Sequence, residues 1–375
     1  MKAVIQVIFR RVMPRKIKNV FDDIFSMDNL YDAYMDAARG RRYEREVLRF
    51  SEDLWMNLEA IRDRVYAGDY EVRRYHKFYV YEPKKRLIMS IPFEDRVVQW
   101  AIYRIINPII VKSYINDSYG CIPGRGALGA MERLKKWLKH ISRKPGKWYY
   151  LKIDISKYFY RISHKILKRM LRRRIADKRL LKVLDSIIDC RHTAFGLPEG
   201  VSPNDGVEMI HGVGMPIGNL LSQMFANLYL DALDEFCKRV LHCRIYVRYM
   251  DDVIIVGIKE MLKRWRKAIE TFASERLALK LNRKTCIRPI NQGIEFVGYR
   301  LWHTHVTLRK STTLKMRRGL RHVMEMYKHY KMSLQRAEQT FRSYIGMLSH
   351  TDSKAFVSAL YERFVLTHEG GTVMT

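Results

Sequence analysis

The sequence predicts an α+β fold built around an antiparallel sheet, and three features of the chain indicate it. β-Branched and aromatic residues flank an acidic pair in residues 244–257, which read R-I-Y-V-R-Y-M-D-D-V-I-I-V-G. Such residues favour strands, so this stretch predicts a β-hairpin with Asp251 and Asp252 at its turn. An apolar run at residues 148–153 predicts another buried strand. Elsewhere, apolar residues recur at helical spacing.

The acidic pair matters because a third acid, Asp154, follows the strand predicted at 148–153. Neighbouring side chains of a straight strand point to opposite faces, whereas at a hairpin turn both carboxylates can converge. With no basic partner beside them, Asp251 and Asp252 repel each other and are costly to desolvate. A lone pair would favour a solvated acidic turn. Three acids favour a two-metal site for phosphoryl transfer, suited to two Mg²⁺ ions, with Mn²⁺ as the alternative.

Charge dominates the composition. The 375 residues carry a net charge of +31, from 70 Lys and Arg against 39 Asp and Glu, and a hydrophobic content of 47% excludes wholesale disorder. This excess indicates a polyanionic partner, with nucleic acid favoured over a membrane surface. No run reaches the roughly 18 apolar residues of a membrane span, and the basic N-terminus does not fit a secretory signal. The five cysteines lack paired metal-ligand spacing, so we expect reduced thiols and a cytoplasmic protein.

The N-terminal part of the chain predicts helices followed by a basic hairpin. Residues 1–28 are uninformative, and we expect a basic arm or a partner contact there. Residues 29–68 have helical periodicity that ends at Gly68. Residues 75–91 predict two strands joined by a basic Pro-Lys-Lys tip.

The middle of the chain alternates helices and glycine-rich loops. An apolar helix is expected over 93–106, with Pro108 after it, and the glycine-rich segment 120–129 is expected to precede a helix. A basic amphipathic helix is predicted over 156–175. Residues 195–206 predict an exposed, turn-rich loop, whose G-L-P-E-G mimics the later G-M-P-I-G but lacks its Ser-Gln.

The C-terminal part predicts further helices around the hairpin. We expect an apolar helix over 222–240, a helix and strand over 260–281, and a tight turn at 296–299. Residues 301–375 predict a basic helical region with an apolar stripe formed by Met316, Leu320, Val323 and Tyr327.

Motifs along nearly the whole chain, from about Leu30, resemble those of the reverse transcriptases. Y-M-D-D at 249–252 is similar to that family's palm hairpin, and Asp154 falls in its first palm strand. Each motif alone is weak, whereas six in the family's order around three acids form a strong signal. The further matches are P-K-K-R-L-I with P-F-E-D-R-V-V-Q (83–99), D-S-Y-G-C-I-P-G-R-G (117–126), M-P-I-G-N-L-L-S-Q (215–223), L-N-R-K-T (281–285) and F-V-G-Y (296–299).

The resemblance implies an α+β right-hand polymerase with fingers, a palm containing an antiparallel sheet, and a helical thumb. It implies RNA-directed DNA synthesis from an RNA template, a DNA or RNA primer and dNTPs. The implied subdivision is an N-terminal helical region or basic arm (1–70), fingers (71–147 and 176–214), a palm (148–175 and 215–300) and a basic thumb (301–375).

The resemblance also assigns catalytic roles. Asp154 and Asp251 would hold the metals, with Asp252 supporting them, and Ile155 belongs to both the metal set and the substrate set. Lys284 would protonate the leaving pyrophosphate as a general acid. Its alternative is one more basic residue in a basic protein.

Further residues are implied to contact the substrates. Lys84 and Arg86 would meet the nucleotide's phosphates, with an exposed basic turn as the alternative, stronger for Lys84. Phe159 would stack under the sugar and exclude a 2′-hydroxyl, with ordinary core packing as its alternative. The rest of the implied nucleotide pocket is Ile217, Gly218, Ser222, Gln223, Tyr249 and Met250. The implied primer grip is Phe296, Gly298 and Tyr299.

One motif resembles a particular subfamily. Most reverse transcriptases carry Gln-Gly…Ser-Pro where this chain has Ile217, Gly218, Ser222 and Gln223. This pattern is similar to the diversity-generating retroelement enzymes of bacteria and their phages. It implies synthesis that is error-prone at adenines, and a small basic accessory protein or a non-coding RNA as partner.

Two departures keep alternatives open. Leu221 stands where that subfamily usually has Thr, and Y-R-I-S-H at 160–164 replaces a more usual Ser-Ile-Asp-His. A bacterial anti-phage defence reverse transcriptase, which uses little or no conventional template, is one alternative. An RNA-binding maturase or chaperone with a vestigial polymerase site is another. The presence of all three acids argues against the latter, because nothing structural requires them.

Overall fold

The computed structural model describes residues 16–81, 85–203 and 205–368. The N-terminal part of the described chain is helical, as predicted. Ser26 caps one helix by accepting a hydrogen bond from the backbone N–H of Asn29 at 3.3 Å, and Gly68 ends another with a φ of +79°. The helices are α1 (Phe21–Ile24), α2 (Met27–Ala38), α3 (Arg45–Glu52) and α4 (Leu54–Ala67). The arm expected over 1–28 lies outside the described residues as far as residue 15.

The predicted basic hairpin is confirmed as strands β1 (His76–Val80) and β2 (Arg86–Ser90), which pair antiparallel. Its tip, residues 82–84, lies outside the described residues. The following helix α5 (Phe93–Val111) is longer than predicted, because it runs through Pro108. Proline removes one helical hydrogen bond. The buried side chains of Ile106 and Ile110 on either side of it keep the helix packed into the core.

The predicted basic helix at 156–175 is split in two, which corrects that expectation. Ser163 forms an antiparallel bridge with Val213, and the backbone N–H of Gly214 donates to the carbonyl oxygen of Ile162 at 2.8 Å. These tertiary hydrogen bonds interrupt the helix at a point where local periodicity gives no warning. The elements of this region are α6 (Ala127–Ile141), β3 (Tyr149–Ile153), α7 (Tyr158–Arg161), α8 (His164–Arg174) and α9 (Lys178–Asp189).

The loop expected to be exposed over 195–206 is only partly so. Phe195 and Leu197 are each 1% exposed, and Gly196 bridges Ile210, so its first residues belong to the core. Glu199 and Gly200 are exposed as predicted. The apolar helix that follows this region is α10 (Leu220–Glu235), continued by one wider turn at Phe236–Val240.

A four-stranded antiparallel sheet forms the centre of the molecule. It consists of β3, β4 (Ile245–Tyr249), β5 (Asp252–Gly257) and β6 (Cys286–Pro289), in the order β4-β5-β3-β6. The predicted hairpin is therefore confirmed as β4–β5. Helix α11 (Lys259–Leu277) packs against the same sheet. The aliphatic side chains of β5 are buried, which fixes the sheet in the core.

The C-terminal part combines a small sheet with three helices. Strands β7 (Ile294–Phe296), β8 (Tyr299–Leu301) and β9 (Val306–Leu308) form an antiparallel sheet, and they precede α12 (Lys310–Lys328), α13 (Leu334–Leu348) and α14 (Lys354–Arg363). The predicted stripe on α12 is buried at Met316, Leu320 and Val323 and half-buried at Tyr327.

The α+β class with antiparallel sheets is thus confirmed. All five cysteines are free thiols, as expected. Within the described part of the chain, none of the helices has the length and apolar character needed to cross a membrane.

Candidate active site

The three acids meet at one end of the central sheet. Tyr249 pairs with Asp252, so the hairpin turn consists of Met250 and Asp251 alone, with Met250 at a φ of +54°. Ile153 pairs with Val253 on the neighbouring strand. Because this pairing is antiparallel, the residue after Ile153 lies beside the residue before Val253. Asp154 is therefore brought next to the hairpin acids.

Burial and mutual repulsion act on the hairpin carboxylates. Burial raises the pKa of Asp251 above its usual range, and the charges of Asp252 and Asp154 raise it further. Burial likewise raises the pKa of Asp252, while Lys152 opposes that rise. A divalent cation among these carboxylates would offset both costs.

The donor set suits Mg²⁺. Mg²⁺ prefers oxygen ligands and is usually bound by only one or two carboxylates. Its remaining coordination positions hold waters and substrate phosphates, so a small set of carboxylates is suitable for it. Across residues 16–81, 85–203 and 205–368, no group of three or more His, Cys, Asp or Glu side chains has the geometry of a metal site.

Lys152 corrects the expectation that the acidic pair has no basic partner. Its Nζ lies 3.3 Å from Oδ1 of Asp252 and donates to the carbonyl oxygen of Glu295 at 3.0 Å. Lys152 is on β3, far from the hairpin in the sequence, so local sequence patterns could not predict its contact with Asp252. This contact holds Asp252 beside the small C-terminal sheet.

Arg248 is a buried support for the hairpin that sequence analysis did not single out. Its side chain is fully buried and forms an ion pair with Asp234, with Nη2 to Oδ2 at 2.6 Å. Nη1 also donates to the carbonyl oxygen of Met250 at 2.9 Å and to Oδ1 of Asn227 at 3.1 Å. The guanidinium therefore fixes the turn that carries Asp251. A basic residue inside an apolar strand was the available signal, because a buried charge requires a partner.

A glycine holds the other side of the turn. A Cβ on Gly120 would lie 2.4 Å from the backbone nitrogen of Met250, which no side chain tolerates. The segment before it runs alongside β4, with the backbone N–H of Tyr119 donating to the carbonyl oxygen of Arg248 at 2.9 Å. In the structure, Gly120 packs against the hairpin turn.

The turn that carries Lys284 is docked on Asp154. The backbone N–H of Asn282 donates to the carbonyl oxygen of Asp154 at 2.7 Å, and the N–H of Asp154 donates to Oγ1 of Thr285 at 3.3 Å. Lys284 itself is exposed. The turn is thus fixed at the first acid, with the lysine side chain open to solvent.

Strand β2 and the segment of Ile217 are joined by backbone hydrogen bonds. The N–H of Met89 donates to the carbonyl oxygen of Ile217 at 3.2 Å, and Nδ2 of Asn219 donates to the carbonyl oxygen of Met89 at 3.0 Å. Ile217 is half-buried and Gly218 is exposed. Arg86 begins the same strand, and its charge lowers the pKa of Asp251. Arg86 therefore lies within electrostatic reach of the acids, whereas Lys84 lies outside the described residues.

Phe159 is connected to the same segment. Its carbonyl oxygen accepts a hydrogen bond from the N–H of Met215 at 2.7 Å, and its half-buried ring contacts the ring of Tyr158 edge-on with centroids 5.6 Å apart. Ile155 is 2% exposed and bridges Leu281, so its side chain belongs to the core.

The remaining predicted pocket residues differ in accessibility. Ser222 is buried in the first turns of α10, while Gln223, Tyr249 and Met250 are half-buried. Burial raises the pKa of Tyr249, which keeps its phenol protonated.

The predicted primer-grip turn is tied to the C-terminal helices. Val297 and Gly298 form a tight turn between β7 and β8, both with positive φ. The carbonyl oxygen of Gly298 accepts from the N–H of Arg309 at 3.0 Å, and the charge of Arg309 lowers the pKa of Asp252. Phe296 and Tyr299 on the flanking strands are buried. The turn is thus linked to the neighbourhood of the acids.

The chain is similar to known proteins over most of its length. The chain is 26% identical to protein YkfC of Escherichia coli (strain K12) over 284 residues, which are 66% of this chain and 72% of that protein. It is 23% identical to the group II intron-encoded protein LtrA of Lactococcus lactis subsp. cremoris over 333 residues, which are 71% of this chain and 52% of LtrA.

Among solved structures, a telomerase from Candida albicans in complex with a TWJ fragment of telomeric RNA matches with a TM-score of 0.44 at 12% identity. The match covers 79% of this chain and 60% of that one. Residues 79–301, more than half of the chain, match the family described as reverse transcriptase (RNA-dependent DNA polymerase). The chain therefore belongs to the reverse transcriptase family, the RNA-dependent DNA polymerases.

Proposed function

We propose that this chain synthesises cDNA on an RNA template at the site formed by Asp154, Asp251 and Asp252. The observation that carries the proposal is the antiparallel register of β3 and β5, which places Asp154 beside the hairpin acids. Nothing in the packing of the sheet requires three carboxylates there. The burial of Asp251 and Asp252, and the repulsion that neighbouring carboxylates exert on them, are costs that a metal-dependent reaction would explain.

The residues have distinct roles in this proposal. Asp154 and Asp251 would hold two divalent ions, Mg²⁺ or alternatively Mn²⁺, and Asp252 would support them from its contact with Lys152. Ile155 would join the metal and substrate sets through its backbone, because its side chain is buried in the core. Bound ions would activate the primer 3′-oxygen and stabilise the leaving pyrophosphate. Lys284 would give the pyrophosphate its proton.

The proposal also assigns contacts to the substrates. Lys84 and Arg86 would neutralise the triphosphate, and Phe159 would exclude the 2′-hydroxyl of a ribonucleotide. Gly218, Ser222, Gln223, Tyr249 and Met250 would complete the nucleotide pocket around Ile217. The turn of Phe296, Gly298 and Tyr299 would hold the primer end.

The fingers, palm and thumb boundaries given above form part of this proposal. We further propose a DNA or RNA primer as partner, together with a small basic accessory protein or a non-coding RNA. The proposed location is the cytoplasm of a bacterium, and the protein would be encoded by that bacterium or by a phage. We also propose that synthesis is error-prone at template adenines, on the support of Ile217 in place of a glutamine. The relation to LtrA favours, as the second candidate, an RNA-binding maturase-like role.

Incorporation of labelled nucleotides by the purified chain tests these alternatives. An RNA template with an annealed DNA primer, dNTPs and Mg²⁺ should give a DNA product that disappears without template and with a chelator. Equal synthesis without any template would replace the proposal with the defence alternative. RNA binding without synthesis under any of these conditions would favour the maturase-like role.

A further inference from the structure

A cluster of basic side chains lies on and beside helix α8, outside the residues of the proposed polymerase site. An open pocket of about 620 Å³ is lined by six basic side chains against one carboxylate, that of Asp189. The basic residues are Lys16, Lys165, Lys168, Arg169, Arg172 and Arg173. None of them belongs to the proposed polymerase site. We propose that this basic pocket binds the phosphate backbone of a folded RNA that is not being copied.

The pocket is built on a fixed wall. His164, 4% exposed, donates from Nε2 to the carbonyl oxygen of Gly214 at 2.8 Å, and its Nδ1 lies 3.0 Å from Oδ1 of Asp189. Leu167 and Leu171 are buried on the inner face of α8. The helix therefore cannot rotate its basic face away from solvent without breaking these contacts.

The charge of the pocket is only partly compensated by the protein. Lys168 forms an ion pair with Asp189, and Arg172 forms one with Asp185. Lys165 and Arg169 are exposed and form no ion pair within the described ranges. Charges of one sign that are held together without partners indicate an external anion.

The geometry fits a nucleic-acid backbone. Positions 165, 169 and 172 lie close to one face of the helix. From 165 to 173 the helix rises about 12 Å, so its basic face is long enough to contact more than one phosphate of a nucleic-acid strand. Arginine forks suit bidentate contacts to phosphate oxygens.

Other anionic partners fit less well. A membrane-bound helix needs exposed apolar side chains to insert among the lipids, and α8 has no large apolar side chain that is exposed. Folded RNA is therefore the partner favoured by the charge and by the absence of exposed large apolar side chains on α8.

The test uses the full chain and a hairpin RNA closed by loops at both ends, which offers no primer terminus. A saturating chain-terminated primer–template occupies the polymerase site throughout. The double variant Lys165→Glu with Arg169→Glu should weaken hairpin binding at least tenfold at constant salt. It should also reduce the slope of log affinity against log salt by about 0.7–0.9 for each phosphate that is no longer neutralised.

The matched control is Lys263→Glu with Arg266→Glu, which makes the same charge change on exposed positions of α11. We expect this control to change hairpin affinity less than twofold. Both double variants should still extend a short primer, which reports that they fold. Equal weakening by both pairs would overturn the proposal, because only overall charge would then matter.

A second readout asks for direct contact. A photocrosslinking residue at position 165 should attach to the hairpin RNA, and unlabelled hairpin should compete while short primer–template should not. If short primer–template abolished the crosslinking, α8 would belong to the template path and the proposal would be overturned. The proposal would also be overturned if Lys165 and Arg169 were needed for retention on anionic vesicles, or for binding of an acidic protein, but not for binding of the hairpin RNA.

The outcome is separate from polymerase activity. An Asp251→Asn variant should bind the hairpin as the wild type does, whether or not the proposed function holds.

Discussion

At position 217, this chain has an isoleucine where the resemblance to the reverse transcriptases implies a glutamine. The carbonyl oxygen of Ile217 is fixed by the N–H of Met89, so its backbone position does not depend on the side chain. An amide can donate and accept hydrogen bonds and so hold a correctly paired nucleotide in one pose, whereas isoleucine can only pack. Ile217 is half-buried, which leaves part of its surface accessible to a substrate.

We predict that Ile217→Gln lowers misincorporation, most clearly opposite template adenine. One added hydrogen bond of about 0.5–1.5 kcal/mol should improve discrimination by up to roughly tenfold. Sequencing of the cDNA measures the change, and Ile217→Val serves as the control because it keeps an aliphatic side chain. If Ile217→Gln and wild type give the same error spectrum, Ile217 has no role in fidelity.

The hairpin β4–β5 depends on supports that come from distant parts of the chain. Arg248 holds the carbonyl oxygen of Met250 from inside the core, and Gly120 packs directly against the backbone of Met250. Both contacts fix the position of Asp251 relative to Asp154. The hairpin is therefore placed by its surroundings as much as by its own pairing.

We predict that Gly120→Ala reduces polymerase activity at least tenfold while the chain stays folded. The added methyl group would meet backbone at 2.4 Å, so the hairpin turn must move. A displacement of about 1 Å at a catalytic group costs on the order of a hundredfold in rate. Single-turnover extension measures the loss.

Gly126→Ala is the matched control. A Cβ there meets nothing within 4 Å, and the backbone of Gly126 is extended with a φ of −129°. Its activity should stay near the wild-type level. Equal activity of both variants would show that the hairpin turn tolerates displacement, and would remove Gly120 from the residues that position Asp251.

Sequence patterns predicted the elements whose cause is local. The hairpin β4–β5 follows from β-branched residues around a short turn, and Gly68 ends its helix because it adopts positive φ. The break at Ile162 and the pairing of Lys152 with Asp252 could not be predicted, since their partners lie at least 50 residues away in the chain. The site was therefore predictable in its acids but not in the residues that position them.

The net charge of +31 is not confined to one part of the molecule. The proposed polymerase site includes Arg86 and lies near Arg309, while the basic pocket on α8 is lined by six more basic residues. Long-range attraction of a polyanion depends on such summed charge.

We predict that affinity for RNA falls steeply with salt. Each neutralised phosphate contributes about 0.7–0.9 to the slope of log affinity against log salt, so several contacts should give a slope of about −3 or steeper. Titrations by fluorescence anisotropy at several salt concentrations measure it. A slope near zero would leave the charge of the chain without a function.

We propose that Asp154 and Asp251 hold the ions for nucleotidyl transfer, and single-turnover primer extension on an RNA template measures this role. Asp154→Asn and Asp251→Asn should abolish synthesis while RNA affinity stays within about twofold of wild type, because the ions and not the fold need these charges. Asp63→Asn, which removes an exposed carboxylate from α4, should extend the primer normally. Synthesis by either active-site variant above about a hundredth of the wild-type rate, a loss below roughly 3 kcal/mol, would contradict the assignment of these two acids.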